Sequence, residues 1–505
     1  MSVATSTPAV PASNGVAGAA RGRHPAWAVS ILLLGGIAYV GLFVSAVVSA
    51  DSELLQGLTI APILFACTIP IALRVAKSEG DPSFATIILA GASAKLLMAY
   101  VQFQIAYNYY DGQVDAAQYH DVGSALAPAY RRLDFTTNIG QLVGTGYVKV
   151  IAGLVYAIVG TSGVAGFMVF GWFGFLGLVL LARAFRIGIP NGDHRRYMIA
   201  LLFLPSLLYW PATIGKEALM LLGIGLCAYG IARILRSQAT GVIPGAGGLF
   251  LVLLIRPHMA LIIFAGLGFA VLIRRAPARN FAAPIFRLFG VTVLIALAFF
   301  LLSKTTAFLD TNLKSTSLTD QLTETQENTS EAGSSFAPAV VNTPLDIPWA
   351  TVTVLFRPFP QEADSFAVLL SAAEGLVLAG LLVASAGRIR SVPRMIRTTP
   401  YLGFALGYLG AFVIAFSRFA NFGILARQRV QVIPFVLVLI ALPKFRDLIA
   451  PEPAAGAAAQ RDATPVVPAG PAPRPTGTRR RLRPVRDRTA VSSGAGFGPP
   501  PRATD

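Results

Sequence analysis

What most constrains this chain is the recurrence, about a dozen times, of mostly apolar runs long enough to cross a membrane. A spanning helix needs about 20 such residues to traverse a hydrocarbon core of roughly 30 Å. No water is available there, so backbone N–H and C=O groups must be satisfied within the protein, as a helix does. The predicted class is therefore all-α, a polytopic integral membrane protein with about 12 transmembrane helices. Composition agrees: 54% of the 505 residues are hydrophobic and only 13% charged, where a soluble domain carries about 25% charged residues.

Orientation follows from Lys and Arg, which favour the cytoplasmic side of short loops. Placing Arg21 and Arg23 inside sends the first span, 26–50, outward; 57–75 returns to Arg74 and Lys77, and 83–107 leaves again. With 145–161 lying at the interface, 162–184 comes back to Arg183 and Arg186. Hairpins of 197–213 with 217–236 and 242–256 with 258–275 follow, landing on Arg233, Arg236, Arg274 and Arg275. Span 286–303 exits, 366–386 re-enters toward Arg388, Arg390, Arg394 and Arg397, and 400–418 with 428–445 ends inside at Lys444 and Arg446. Both termini are then cytoplasmic, and the outer-face loops are 108–161 and 304–365.

The domain plan is a disordered cytoplasmic N-terminus at 1–25, a transmembrane domain at 26–446 and a disordered basic tail at 447–505. "VVSA" before Asp51 imitates a signal-peptide cleavage site, but an apolar run of about 25 residues exceeds the usual h-region of about 7 to 15 and reads as an uncleaved anchor. The tail, with "TGTRRRLRPVRDR", has almost no large apolar residues to bury and suits attraction to anionic membrane lipids. Because the net charge of +17 gathers beside the spans and in this tail, it does not point to nucleic acid. Cys67 and Cys227 each fall within an apolar run and read as small core residues.

The informative charges are those that break the inside rule. Arg131, Arg132, Lys149, Lys216, Arg256, Arg357, Arg418, Arg427 and Arg429 fall at or near the outer surface, beside Asp111, Asp115, Asp121, Asp134, Glu217 and His120. Any one basic side chain can snorkel or pair with an acid. As a group they suit a phosphate, whose oxygens match the planar guanidinium fork. "YYDGQVDAAQYHDVGSALA" concentrates the acids, and helical spacing puts Asp115 and Tyr119 on one face with Ala116 and His120 on the next stripe. A carboxylate held near cations can accept a proton from an attacking hydroxyl. No nucleotide-type glycine loop, HExxH or paired CxxC is present, so no metal ligand is assigned and a divalent cation is left open as the only cofactor.

The order of motifs resembles the polytopic GT-C superfamily of membrane glycosyltransferases, especially the protein mannosyltransferase and aminoarabinose transferase type. "DAAQYHDVGSALA" is similar to that group's early outer-loop pattern D-A-x-x-Y-h-x-x-A, and "GTGYVKVIAGLVYAIVGTSG" to its interfacial stretch. "LLFLPSLLYWPATIGKEALMLLGIGLCAYGIAR" resembles its P-x-x-x-x-W-S-x-x-x-x-K-E-A-L hairpin, and "ILARQRVQVIPFVLVLIA" its entry to the last span. The likeness covers about 110–236 and the final span. Where the family often has two adjacent acids, Asp115 is followed by Ala116, so Asp111, Asp115 and Asp121 stand as alternative bases.

The resemblance implies transfer of a sugar from a lipid-linked donor, a polyprenyl-phosphate carrier, to a glycan, lipid or protein acceptor on the outer face of the plasma membrane. Asp115 would deprotonate the acceptor, while Arg256, Arg427 and Arg429 stabilise the departing phosphate. Tyr119 and His120 would bond sugar or phosphate, with Lys216, Glu217 and His258 as further binding candidates. A polysaccharide polymerase or ligase is the nearest alternative, and a lipid or solute transporter, for which the intramembrane Lys95 and Glu374 speak, is the third.

Overall fold

The first three apolar runs form the helices α1 (Ala26–Val48), α2 (Ser52–Glu79) and α3 (Ser83–Gln104). Asp51 caps α2, its carboxylate accepting the Leu54 N–H at 2.9 Å, and Gly80 ends that helix in the left-handed region at φ 71°. In the computed structural model, the residues described are 24–136, 139–140, 142–274, 336, 338–363, 365–419 and 421–448, all within one unit, Met1–Ile449. The expected N-terminal segment up to residue 23, the span at 286–303, most of the loop from 304 and almost all of the tail lie outside them.

Beyond α3 a π-helical turn, Ile105–Tyr109, leads into a tight reversal. Asp111 and Gly112 both take positive φ, 49° and 74°, and the Gly112 N–H bonds the Ala106 carbonyl at 3.0 Å. The Asp-Gly pair is what makes this turn accessible, since both types tolerate the left-handed region. The chain then forms α4 (Asp115–Arg131), α5 (Thr145–Val159) and α6 (Gly163–Gly188). Arg131, one of the basic residues expected at the outer face, bonds the terminal carbonyls of α5, Tyr156 at 2.9 Å and Ala157 at 3.2 Å.

Helices α7 (His194–Phe203) and α8 (Pro205–Tyr209) take the place of the single span expected at 197–213. The break is at Leu204, extended at ψ 128°, because Pro205 has no N–H to continue the ladder and disfavours helical backbone in the residue before it. Helices α9 (Lys216–Leu235), α10 (Val242–Ile255) and α11 (Pro257–Ile273) follow, and α12 (Ile347–Phe356) lies inside what was expected as an outer loop. The chain closes with α13 (Phe366–Ala384), α14 (Pro400–Phe416), α15 (Phe422–Arg429) and α16 (Ile433–Ile440). The last expected span, 428–445, is thus broken near its start: α15 ends at Arg429, the chain bends by 59°, and α16 begins at Ile433 with Pro434 just after the break.

Among the described residues the fold is all-helical, with no β-sheet. Five helices among the described residues are long and apolar enough to cross a membrane, or seven if each of two bent pairs is one span. Val242–Ile255, Pro257–Ile273 and Pro400–Phe416 sit where spans were expected but are shorter apolar helices. Helix α6 is central, with 78% of its apolar window buried, whereas α1 is peripheral at 6%. Helices α6 and α9 approach so closely at Gly177 and Gly225 that a methyl group on either would collide with the other's backbone.

The two ends of the bundle differ in charge. At one end Glu79 joins Arg186 and His194 at 3.0 Å each, Asp193 pairs with Arg388 at 2.8 Å, and Arg236 bonds the Ile187 carbonyl. Arg186, Arg236 and Arg388 are residues that the sequence placed on a single side. Helices α2 and α6 both start at the opposite end, where the Gly163 N–H bonds Glu53, and α9 starts there too. That end also holds the reversal before α4.

Candidate active site

Three helix starts and one bend converge on a cavity of about 270 Å³ at this second end. Its wall includes Gln102 from the end of α3, Ile105 and Ala106 from the π-helical turn, Tyr110 from the reversal, and Asp115 and Tyr119 from α4. Tyr209 comes from the end of α8, Trp210 and Thr213 from the segment between α8 and α9, Lys216 and Glu217 from the first turn of α9, Arg256 from the α10–α11 junction and Arg427 from α15. A larger cavity of about 570 Å³ lies between α1, α2 and α3. Its polar lining is confined to Tyr39, Ser93 and Tyr100, so it offers packing space rather than chemistry.

Glu217 is buried at 5% exposure and accepts from Arg256, whose Nη2 lies 2.9 Å from Oε1. Arg427 Nε approaches the same oxygen at 3.7 Å, while its Nη1 stands 3.5 Å from Asp115 Oδ2. A buried carboxylate is tolerated when paired in this way. Asp115 differs: 67% of its side chain is exposed, and it opens the N-terminus of α4, where a negative charge is favoured. The Lys216 ammonium is half-buried in the wall and makes no hydrogen bond or ion pair with any described residue. Three cations against two carboxylates leave the cavity one net positive charge at formal ionisation. Tyr119 is almost fully buried, and burial first, then Asp115 and Glu217, push its phenol well above the ordinary range, so it remains a neutral donor.

Of the residues selected from sequence, Asp115, Tyr119, Lys216, Glu217, Arg256 and Arg427 meet here. Asp111 is exposed in the reversal and does not line the cavity. Asp121 is exposed on another face of α4, and His120 turns toward α5, its Nδ1 2.7 Å from the Tyr156 hydroxyl. His258 is exposed and faces the Phe416 ring at 6.5 Å between centroids. Arg429 is buried and engaged away from the cavity: Nη1 donates to the carbonyls of Leu355 at 2.9 Å and Arg357 at 2.7 Å, and Nη2 to Ser371 Oγ at 3.3 Å. Among the described residues no group of three or more His, Cys, Asp or Glu is placed to hold a metal ion.

Sequence reasoning missed Gln428, whose Oε1 accepts from Arg256 Nη1 at 2.8 Å, and Gln431, whose Nε2 donates to that same oxygen at 2.8 Å. It also gave no site role to the aromatic wall of Tyr110, Tyr209 and Trp210, although Trp210 stands in the hairpin pattern shortly before the Lys-Glu pair. Comparison with protein-family models, with curated proteins and with solved structures finds no match to this chain.

Proposed function

We propose that this protein is a polyprenyl-phosphate-sugar-dependent glycosyltransferase of the plasma membrane, of GT-C type, acting on an acceptor of the cell envelope at the extracytoplasmic face. The observation that carries the reading is the meeting, in one cavity, of the accessible Asp115 carboxylate with the Lys216 ammonium, which makes no hydrogen bond or ion pair with any described residue. A base and an anion-binding cation within one small space are what sugar transfer from a phosphate requires.

In this reading the acceptor hydroxyl gives its proton to Asp115 as its oxygen bonds the anomeric carbon. The bond from that carbon to the phosphate oxygen breaks, and the electron pair leaves with the carrier phosphate. Lys216 and the exposed edge of Arg427 receive the developing charge, with Arg256 behind them. Attack from the face opposite the phosphate inverts the sugar carbon. Tyr119, kept neutral, donates a hydrogen bond to sugar or phosphate.

One net positive charge matches a phosphodiester, which carries a single negative charge, better than a pyrophosphate. The volume of about 270 Å³ takes a headgroup with one sugar more readily than a glycan chain. Both points favour a monosaccharide donor over the lipid-linked glycan of a polymerase. The side assignment rests on the basic residues Arg186, Arg236 and Arg388 at the far end of the bundle, the end that the inside rule makes cytoplasmic.

The test is sugar transfer from a radiolabelled polyprenyl-phosphate donor pool by membranes containing the wild-type chain or its Asp115→Asn form. Transfer by the wild type that disappears in the variant supports the reading. Equal transfer by both removes Asp115 as the base, and no transfer by either, with the host's own donors and acceptors present, moves the assignment to polymerase or transporter.

A further inference from the structure

The guanidinium of Arg256 cannot be aimed by Glu217 alone. Glu217 engages only Nη2, through a single oxygen at 2.9 Å, which leaves the fork free to rotate about that contact. The second contact is Gln428 Oε1, 2.8 Å from Nη1. Gln428 is in turn fixed: its Oε1 also accepts from Gln431 Nε2 at 2.8 Å, so both neighbours of that atom are donors and only the oxygen can occupy the position. Gln431 is fully buried and Gln428 nearly so, with exposures of 0% and 9%.

These two glutamines stand at the bend between Phe422–Arg429 and Ile433–Ile440. Gln428 belongs to the last turn of the first helix, Gln431 to the break, and Arg427, which reaches Asp115 and Glu217, immediately precedes Gln428. One kinked segment therefore supplies a cavity cation and, from the next residue, the acceptor that orients another.

We infer that Gln428 is a positioning residue for the anion site: by accepting from Arg256 Nη1, with Gln431 bracing it from behind, it holds the Arg256 guanidinium in the plane from which the cavity meets a phosphate. The inference rests on the anion-binding reading of the cavity and adds to it a residue that touches no substrate. A neutral acceptor is the point. A carboxylate at position 428 would bind Arg256 as well or better but would cancel its charge, whereas an apolar side chain would leave Nη1 without a partner.

The experiment titrates farnesyl phosphate into the purified full-length chain in detergent and measures the dissociation constant for the wild type, Gln428→Leu, Gln428→Glu, Arg256→Ala and the Arg256→Ala/Gln428→Leu double variant. Thermal unfolding of each form shows whether it is folded. Losing a hydrogen bond to a charged group corresponds to roughly tenfold or more in affinity, the weakening expected for Gln428→Leu. Gln428→Glu, close in shape, is expected to lose affinity while keeping or raising its unfolding midpoint, which a purely structural role would not produce. In the Arg256→Ala background, Gln428→Leu should change the dissociation constant less than twofold, because its effect runs through Arg256. Wild-type binding with Gln428→Leu and Gln428→Glu unchanged, or a Gln428→Leu effect that persists in full without Arg256, overturns the inference and leaves the anion site standing. No binding by the folded wild type overturns the anion site and the inference with it.

Discussion

Asp115 and Arg427, 312 positions apart in the chain, meet across the mouth of the cavity with 3.5 Å between carboxylate and guanidinium. The contact is long and largely exposed, so it orients the carboxylate without consuming it, and pairs of this kind contribute only about 0 to 1 kcal/mol to stability. Asp115→Asn should therefore unfold at nearly the wild-type temperature while its transfer rate falls by about a hundredfold or more, the range that general-base catalysis supplies. Asp111→Asn and Asp121→Asn, whose parent residues lie outside the cavity, should stay within about twofold of wild type in the same assay. A large loss in either of these, with Asp115→Asn active, would shift the base to another acid of that loop.

Lys216 invites the opposite use of a substitution. Because its ammonium makes no hydrogen bond or ion pair with any described residue, and the pull of Glu217 and Asp115 on it is opposed by Arg256 and Arg427, removing it breaks no polar bond to a described residue. Lys216→Gln should unfold no earlier than wild type, yet raise the donor KM about tenfold or more, as expected for a lost charged contact to phosphate. Lys216→Arg should recover much of that loss. Donor kinetics together with a melting curve decide the matter, and an unchanged KM would take the ammonium out of the site.

The cavity was legible in the sequence where its residues carried charge at a helix start. Asp115, Lys216, Glu217, Arg256 and Arg427 stood out because ionised groups beside apolar runs are costly and few. Charge alone does not separate a ligand-binding group from a backbone cap, however. Arg429 looked equivalent to Arg427 two residues away and is instead bonded to the carbonyls of Leu355 and Arg357. Gln428 and Gln431 were invisible because a neutral amide beside conspicuous arginines has no signature of its own, and the partner of Gln428 is 172 positions away. Span positions were read well where a run had no internal break, as in α1, α3, α6 and α9. They were read poorly near 204 and 430, because averaged hydropathy does not register the helix-breaking effect of Pro205 and Pro434.

Lys95 and Glu374 follow from one of those breaks. The short helix α8 needs partners at both ends: Glu374 Oε1 accepts the Ser206 N–H at 3.1 Å, and Lys95 Nζ donates to the carbonyls of Leu207 and Leu208 at 2.8 Å each. Gln102 takes the next carbonyl, that of Tyr209, at 3.1 Å. Two residues that raised a transport pathway thus satisfy backbone exposed by a proline break. Lys95→Met should lower the unfolding temperature, since it orphans the buried Leu207 carbonyl at about 1 to 3 kcal/mol and removes the donor of the part-buried Leu208 carbonyl as well, and Glu374→Gln, which keeps an acceptor oxygen, should cost less. If either residue instead served a proton path, its neutral variant would be stable and would abolish a pH-gradient-driven flux in proteoliposomes.

His120 gives the fold a dependence on pH whose sign can be stated. Burial, the largest influence, lowers its ring below the ordinary imidazole value, and Glu53 and Asp121 oppose that only in part. The ring is therefore neutral at pH 7 and bonds the Tyr156 hydroxyl at 2.7 Å. In the unfolded chain the same histidine titrates near 6.5. Between the folded value and about 6.5 the unfolded state holds more protons, so stability falls as pH is lowered through that window and reaches its full penalty below the folded value. His120→Gln has nothing to titrate and can still hydrogen-bond Tyr156. The difference in unfolding temperature between wild type and His120→Gln, measured in detergent from pH 7.5 to pH 5, should move in favour of the variant as pH falls. A difference independent of pH would mean that the ring keeps its ordinary value in the folded protein. Transfer at pH 7, by contrast, should be nearly the same in both, because His120 faces α5 and lies outside the cavity that holds Asp115.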